Sequence, residues 1–504
     1  MDLAEITLNR VSPLRCAPDE VKLAILSLLS AKEIVRISGV CKEWHRLCFD
    51  GSLWNCFDAA PFYNDIPACQ LVRIIVGSGR FIRHLNLRGC SQLSRNDVHA
   101  IASACKNLDT LILETCRSFD LEALSRILIN NPCITTLDLS CLDCVTNHMC
   151  KRIASHLPFL EVLDLSCCHK MDSTGLKRIL LRCRRLQELR LYECRDIVTP
   201  DVMLALYSSK SLQHLHLAGC QGLTDESIGL LIEGTGMGSS LSSLRMLNLS
   251  RCSLLTTTTL RNLADKVEQL ECLEVAALNV SDMGFQILMP TLQHLTHLDC
   301  EDCVELTDLT LLSIARSPSS GCITHLQFSY CESLTDVGVT AILKDCPYLQ
   351  SLELDNTNIS DVVLAEAAHV TRRRSRSFDA RFSLRLTVYD CHNITWNGVR
   401  HVLDSNASIR HVMDQNAPIK DANLIKLKCF YGWQKVVDAH TRRLVRGEVE
   451  KAAKIERDWI AWMTDTRRRR RTQVFTGDAT DVEDEVEDYP NRHRWQRLSD
   501  CRFM

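Results

Sequence analysis

One spacing of apolar and polar residues recurs along most of the chain. The segments that begin at Ile82, Leu108, Leu160 and Leu212 read L-x-x-L-x-L-x-x-C, with Ile accepted at the first position. The apolar fourth and sixth residues alternate with other residues, which predicts a short strand with one buried face. Twelve copies can be aligned, and they begin at residues 82, 108, 134, 160, 186, 212, 244, 270, 295, 323, 349 and 383.

The distance between these segments indicates the architecture. Seven of the eleven steps are 26 residues long, two are 25 and 28, and two are clearly longer, at 32 and 34 residues. Periods of about 20 to 29 residues are typical of leucine-rich repeats, in which a strand and a returning helix stack only on their neighbours. Pairs such as Thr224-Asp225 should cap the returning helices. With a degraded copy expected at Ile409, the sequence predicts an α/β leucine-rich-repeat solenoid (horseshoe) of about 12–13 repeats over residues 82–419.

Cysteine recurs at the ninth position of the repeat. The chain has 27 cysteines, and a small thiol at this position can face inward at a tight turn. Cys141 and Cys144, like Cys300 and Cys303, have the spacing of half a zinc site, but the second pair is explained by the repeat itself. We therefore expect reduced structural thiols and no metal site. The ninth-position cysteines are Cys90, Cys116, Cys168, Cys194, Cys220, Cys252, Cys303, Cys331 and Cys391.

Composition mainly excludes classes of function. Of 504 residues, 46% are hydrophobic, and 59 Lys and Arg nearly balance 62 Asp and Glu. No net positive field therefore points to nucleic acid or a membrane as a partner. Neither an apolar leader nor a membrane span is evident, so we expect a cytoplasmic and/or nuclear protein. Because no glycine-rich phosphate loop, G-x-S-x-G elbow or H-E-x-x-H helix is present, we expect a non-catalytic protein without a cofactor.

The region before the repeats is a different module. Pro18 suits a helix start, and Val21, Ile25 and Leu28 fall on one helical face. A second apolar face includes Trp44. A module of about forty residues is too small for an independent core, so its helices must pack on the repeats or on another chain.

Four short motifs give this module a specific resemblance. They are Pro18-Asp-Glu-Val, Ile25-Leu26-x-x-Leu29, Val40-Cys41-Lys42-x-Trp44 and Leu53-Trp54. Together they resemble an F-box. With the cysteine-containing repeats, the chain resembles F-box/leucine-rich-repeat proteins, particularly fungal ones, over about residues 15–415. One departure from the family pattern is Ala17, where the family usually has leucine.

The resemblance implies a function. In that family the F-box binds the adaptor Skp1, which connects it to a cullin and a RING subunit, and the concave repeat face holds a protein substrate for ubiquitination and proteasomal degradation. The chain would be the substrate-recognition subunit of an SCF E3 ubiquitin ligase; the alternative is a scaffold outside ubiquitin transfer. Some of the implied contacts have an alternative role in packing the module on the first repeat. The implied adaptor contacts are Pro18, Ile25, Leu28, Leu29, Val40, Cys41, Trp44, Leu47, Leu53 and Trp54.

The third, fifth and seventh positions of each repeat should point outward from the sheet. Acidic residues outnumber basic ones there, which disfavours a phosphorylated substrate and favours a basic segment of one. The alternative is that these charges only solvate the sheet. His297 and His325 should be neighbours on adjacent strands. The candidate substrate contacts are Arg88, Arg190, Tyr192, His216, Glu274, His297, Asp299, Glu301, His325, Glu353 and Asp355.

The expected organisation has six parts. Ser375 and Ser377 lie in a basic insertion that a kinase could modify, and Arg467–Arg471 favours nuclear import or pairing with the acidic stretch that follows. The expected segments are an N-terminal extension (1–14), the F-box (15–60), a linker (61–81), the repeats (82–419), a C-terminal helical cap (420–465) and a basic then acidic disordered tail (466–504).

Overall fold

The computed structural model describes residues 17–234, 243–375, 383–412 and 424–475. The chain divides into two compact units, Met1–Leu255 and Thr256–Met504. The expected N-terminal extension, Ser377 and the acidic stretch lie outside the described residues. No helix among the described segments is both long and apolar enough to cross a bilayer.

The first unit begins with three short helices, α1 (Asp19–Leu26), α2 (Ala31–Ile37) and α3 (Lys42–Cys48). A capping box joins Ser30 and Glu33 at the start of α2, because the Glu33 carboxylate accepts from the Ser30 amide at 2.8 Å. The Cys41 thiol caps α3 by accepting from the Trp44 amide. A 3-10 turn, Gly51–Trp54, then leads into the sheet.

The described residues of the first unit also form eight parallel strands and seven further α-helices. Each strand pairs in register with the next, so that the central residues, such as Leu85 and Leu111, form a buried row. The strands are β1 (Cys56–Asp58), β2 (His84–Asn86), β3 (Thr110–Ile112), β4 (Thr136–Asp138), β5 (Val162–Asp164), β6 (Glu188–Arg190), β7 (His214–His216) and β8 (Met246–Asn248). The helices are α4 (Ala68–Ser78), α5 (Arg95–Ala104), α6 (Leu121–Asn130), α7 (Asn147–His156), α8 (Ser173–Arg182), α9 (Pro200–Tyr207) and α10 (Asp225–Glu233).

The second unit continues the alternation of helices and parallel strands. It contains α11 (Thr257–Leu263), β9 (Cys272–Glu274), α12 (Asp282–Leu288), β10 (His297–Asp299), α13 (Asp308–Ala315), β11 (His325–Gln327), α14 (Asp336–Asp345), β12 (Ser351–Glu353), α15 (Asp361–Ser375), β13 (Leu384–Thr387), α16 (Trp396–Val412), β14 (Ile425–Lys428), α17 (Tyr431–Val445) and α18 (Val449–Phe475). Both units are therefore leucine-rich-repeat solenoids, as predicted, and the first carries the helical module at its start.

The eighth position of every aligned repeat has a left-handed backbone. Its φ is positive in all twelve copies, from 51° at Glu193 to 77° at Gly89, although ten of the twelve residues are not glycine. The amide of this residue usually donates to the carbonyl of the seventh residue in the next repeat, as from Cys167 to Tyr192 at 2.8 Å. This hydrogen bond between repeats offsets the cost of the left-handed conformation.

The ninth-position cysteines link the repeats through their thiols. Cys116 Sγ donates to the Leu87 carbonyl of the preceding repeat at 2.8 Å, and Cys194 Sγ donates to the Leu165 carbonyl at 3.2 Å. None of the described cysteines forms a disulfide. Burial raises the pKa of the Cys194 thiol to about 12, so the thiol keeps its proton and acts as a donor. The same bond to the preceding repeat is made by Cys168, Cys220, Cys252, Cys303, Cys331 and Cys391.

The two residues of each threonine-aspartate pair make different hydrogen bonds. Thr335 caps α14 by accepting from the Val337 amide, as expected. The Asp308 carboxylate instead accepts from the amide and hydroxyl of Thr335 in the next repeat. A Cβ at Gly338 would lie 2.6 Å from Asp308 Oδ1, so this helix needs glycine where the carboxylate approaches. The pairs therefore connect neighbouring helices as well as starting them.

Two strands lie outside the twelve predicted ones. Around β1, Trp54, Phe57 and Ala59 are buried at the first, fourth and sixth positions of a further repeat, which begins 28 residues before the copy at Ile82. The repeats thus begin inside the expected F-box segment, and the expected linker contains α4. At the other end, the thirteenth strand copy is not at Ile409, which lies in α16, but in β14.

Side-chain amides hydrogen-bond to backbone groups in and just after β14, the last strand in the described part of the chain. The Asn406 amide group accepts from the Ile425 amide and donates to the Ile425 carbonyl, both at 2.9 Å. Gln434 accepts from the Cys429 amide at 2.8 Å and donates to the Leu427 carbonyl at 3.2 Å. The helices α16 and α17 therefore close the end of the sheet.

Two helices of the C-terminal third include residues that were expected to lie outside them. The basic insertion after Thr371 begins as the last turn of α15, where Arg374 donates to the Leu343 and Cys346 carbonyls. The long helix α18 ends at Phe475, beyond the expected limit of the cap, and its backbone includes the five arginines.

We expect Cys194→Ala to destabilise the protein. The change removes the thiol donor from Leu165 and leaves a small void, which together cost about 1–2 kcal/mol. Urea unfolding compared with Cys133→Ala, a change at an exposed cysteine, would measure this. Equal midpoints for the two variants would contradict a structural role of the thiol bonds.

Candidate partner-binding surfaces

Large apolar side chains are exposed on the helical module. Val21 is 47% exposed, Ile25 40%, Leu28 84% and Val40 70%. They lie in α1 or in the segments that follow α1 and α2. Apolar exposure of this extent on a module this small is typical of an interaction surface. We call Val21, Ile25, Leu28 and Val40 the apolar patch.

The opposite side of the module is packed within the chain. Leu47 and Trp54 are each 1% exposed, so neither can contact another protein, although both were expected to. Trp54 Nε1 donates to the Cys48 carbonyl at 2.9 Å, and the Trp54 ring lies 5.5 Å from that of Phe57. Trp54 is buried because it holds the first position of the β1 repeat. Trp54 therefore belongs to the junction between module and solenoid, and Leu47 is buried within α3.

The other expected adaptor contacts are accessible to different degrees. Pro18 and Cys41 are exposed beside the apolar patch, whereas Leu29, Trp44 and Leu53 are half-buried. Val21 was not among the expected contacts, although its helical spacing with Ile25 and Leu28 was visible in the sequence.

Two ion pairs connect the first and third helices of the module. Lys22 Nζ lies 2.6 Å from Glu43 Oε1, and Arg46 Nη2 lies 2.6 Å from Asp19 Oδ2. The hydrogen bond from Arg46 lowers the pKa of Asp19, and the hydrogen bond to Glu43 raises the pKa of Lys22. Both pairs connect α1 with α3, so the surface that carries the apolar patch is held in place.

The outward sheet face of the first unit carries paired charges. Arg88 Nε lies 2.8 Å from Glu114 Oε2, and Arg190 Nη2 lies 2.5 Å from Glu188 Oε1. Tyr192 Oη shares a hydrogen bond of 2.6 Å with Nδ1 of His216. The candidate arginines are therefore already partnered within the chain.

His216 is not available as a surface contact. It is 5% exposed, and burial lowers its pKa to about 4, so the ring is neutral near pH 7. Its hydrogen bond positions the half-buried Tyr192 instead. The strand alternation did not reveal this, because the neighbouring repeat covers a side chain whose position usually points outward.

The outward face of the second unit is acidic. Register places Glu274, Asp299, Gln327 and Glu353 in one row across β9 to β12. Burial raises the pKa of Asp299, and the nearby charge of Glu353 adds to the shift. We call Glu274, Asp299, Glu301, Glu353 and Asp355 the acidic face.

Two of these carboxylates have further contacts inside the chain. Gln327 Nε2 donates to Glu301 Oε2 at 2.7 Å. Asp355 accepts from the Tyr389 amide at 2.7 Å, yet burial raises its pKa, as does the charge of Glu353. The acidic face thus holds like charges close together in a half-buried position, where a cation would stabilise them.

His297 and His325 stack on each other, as their predicted adjacency implies. The ring centroids are 4.2 Å apart and the planes differ by 9°. Each Nδ1 is hydrogen-bonded to the hydroxyl of the preceding threonine, at 2.7 Å for Thr296 and 2.8 Å for Thr324. Burial lowers the pKa of both rings, so they offer a flat, neutral surface. Within the described segments, no group of three or more His, Cys, Asp or Glu side chains is arranged to hold a metal.

Two family models match segments of the chain. The F-box-like family model matches residues 18–59, and the Leucine Rich repeat model matches residues 156–180, 208–231 and 320–343. The chain therefore contains an F-box-like segment followed by leucine-rich repeats.

The chain is similar to solved structures over much of its length, and the first of them supports the fold. A chain in the crystal structure of the Rad7 and Elc1 complex in yeast is 17% identical, with 75% of this chain and 89% of that chain covered and a TM-score of 0.53. An internalin from Listeria monocytogenes is 14% identical, with 63% and 80% covered and a TM-score of 0.37.

We expect Asp299→Asn to stabilise the folded protein near neutral pH. Folding raises the pKa of Asp299, so ionisation of this carboxyl destabilises the folded state once the pH exceeds the pKa of the unfolded chain, about 3.9. The destabilisation is complete when the pH also exceeds the pKa of the folded state. Asparagine keeps the acceptor for the Glu301 amide, which lies 2.9 Å from Asp299 Oδ1. At about pH 7 the variant should have a higher melting temperature than the wild type. This difference should disappear towards about pH 3.

The matched control is Asp143→Asn at an exposed carboxylate, which should leave the melting temperature within error at both pH values. A lower melting temperature for Asp299→Asn near neutral pH would show that the acidic face is not electrostatically strained.

Proposed function

We propose that this protein is the substrate-recognition subunit of an SCF-type E3 ubiquitin ligase. Its F-box binds a Skp1-like adaptor, which connects it to a cullin and a RING subunit, and the outward faces of its repeats bind a protein substrate for ubiquitination and degradation. The chain itself is non-catalytic in this proposal.

The observation that carries the proposal is the apolar patch. Leu28 and Val40 are largely exposed to solvent. Leu26 in α1 and Leu47 in α3, by contrast, are buried within the chain. The module therefore has one side that packs on the chain and a second apolar side that is open. The similar fold of a chain crystallised in the Rad7 and Elc1 complex supports a partner-binding role.

Adaptor binding can be tested with Leu28→Glu plus Val40→Glu. Two charges buried in the centre of an interface should weaken binding to a purified Skp1-like adaptor about a hundredfold or more. The control is Leu309→Glu plus Val337→Glu, because these residues are similarly exposed on α13 and α14. Co-purification with adaptor and cullin, followed by a titration, gives the measurement.

Three results would change the proposal. No adaptor binding by the wild-type chain would contradict it and would point to Ala17 as the mark of a diverged F-box. Adaptor binding without cullin would favour the scaffold alternative. Loss of binding in the control as well would show that charge, and not the apolar patch, controls association.

The acidic face supports a more specific proposal for the substrate. A segment rich in Arg or Lys would pair with Glu353 and Asp355, whose crowding already favours a nearby cation. The neutral, stacked rings of His297 and His325 offer a flat surface for the guanidinium group of arginine beside these carboxylates.

An arginine-rich model peptide tests this directly. Glu353→Gln plus Asp355→Asn should weaken its binding about tenfold, measured by fluorescence anisotropy, because two charge-assisted contacts are lost. Asp302→Asn plus Glu305→Gln removes the same charge from exposed positions of the second unit and should have a much smaller effect. Equal losses would indicate a general attraction to negative charge.

A further inference from the structure

A basic groove lies where β14, α17 and α18 meet in the second unit. It consists of two adjoining cavities of about 480 and 590 Å³, which share Arg442 and Arg446 as lining residues. Arg443, Lys451 and Lys454 complete the cationic wall of the first cavity, and Lys426 and Lys428 belong to the second. We call these two cavities the basic groove.

A tight turn between two helices builds the groove. Gly447 has a φ of 80°, and its amide donates to the Leu444 carbonyl at 2.9 Å. The Glu448 amide donates to the Arg443 carbonyl at 2.9 Å. These two bonds form a Schellman motif, which ends α17 and lets α18 begin at once. The arginines at the end of α17 therefore face the lysines at the start of α18.

Cationic side chains outnumber acidic ones in the lining of the groove. Glu448 pairs with Arg443 at 2.5 Å and with Lys451 at 3.3 Å, which holds both cations at the rim. Arg446 and Lys454 make no ion pair with any described residue. The two cavities together have seven cationic and two acidic lining residues, whereas the whole chain has a formal charge of -3.

Helix stability does not explain this arrangement. Cations stabilise the C-terminal end of a helix, which accounts for Arg442 and Arg443 in α17. Lys451 lies in the first turn of α18, where the helix dipole disfavours a cation and favours an anion. An anion in the groove would be attracted both by the side chains and by this helix end.

The lining also limits the chemistry of the ligand. The non-cationic residues that face the two cavities are aliphatic, hydroxyl or acidic, and none of the described lining residues has an aromatic ring on which a base could stack. The combined volume suits a compact molecule. We propose that the basic groove binds a compact anion that carries several phosphate groups. A free polyphosphate and a phosphorylated lipid headgroup share this chemistry.

Titration of the full chain with tripolyphosphate tests the site. Arg446→Gln plus Lys454→Gln should weaken binding about tenfold or more in calorimetry, since two charge-assisted contacts are lost. Lys435→Gln plus Arg457→Gln is the matched control, because it removes the same charge from exposed positions of the same helices outside the groove. The control should bind within about twofold of wild type.

Vesicles distinguish the two sources of phosphate. Binding of tripolyphosphate without binding to phosphoinositide vesicles indicates a free ligand, and vesicle binding that the groove variant alone loses indicates a headgroup. Equal affinity of the wild-type chain and the groove variant would overturn the proposal. Binding that requires deletion of residues 476–504 would also overturn it, since the acidic stretch Asp478–Asp488 would then be the occupant. None of these outcomes depends on adaptor binding.

Discussion

The fold depends on the satisfaction of main-chain polar groups where each strand ends. At this point the backbone turns into the left-handed region, and it does so in every aligned repeat, with residues as different as Glu193 and Gly89. The amide of this residue and the following thiol hydrogen-bond to carbonyls on opposite sides, one in the next repeat and one in the preceding repeat. A repeat therefore has its polar groups satisfied only between two neighbours, which makes cooperative stacking a requirement.

The same requirement explains how the F-box is attached. Trp54 ends the 3-10 turn after α3 and also occupies the first position of the β1 repeat, so one side chain belongs to both the module and the sheet. The small module gains buried apolar contacts at this junction, and the ion pairs between α1 and α3 connect two of its helices. Its open apolar side is then free to serve a partner without loss of the module's own packing.

The sequence was sufficient for the twelve leucine-bearing strands, because the buried leucine positions and the period agree. It failed at the ends of the array, where Phe57 replaces leucine in β1 and the 41-residue step to Leu424 separates β14 from its neighbour. The adaptor surface was predicted in part, since helical spacing found Leu28 but could not show that Leu47 and Trp54 face inward. The basic groove was missed because its residues converge only through the turn at Gly447 and through the unrecognised strand.

The amide side chains of Asn406 and Gln434 have a consequence for assembly. A strand at the edge of a sheet presents open donors and acceptors to which another chain can add. Here both amides occupy those groups on β14, as a further repeat would otherwise do. The two side chains therefore block the pairing of a further strand with β14. To lengthen this solenoid by grafting repeats, Asn406 and Gln434 would first have to be replaced.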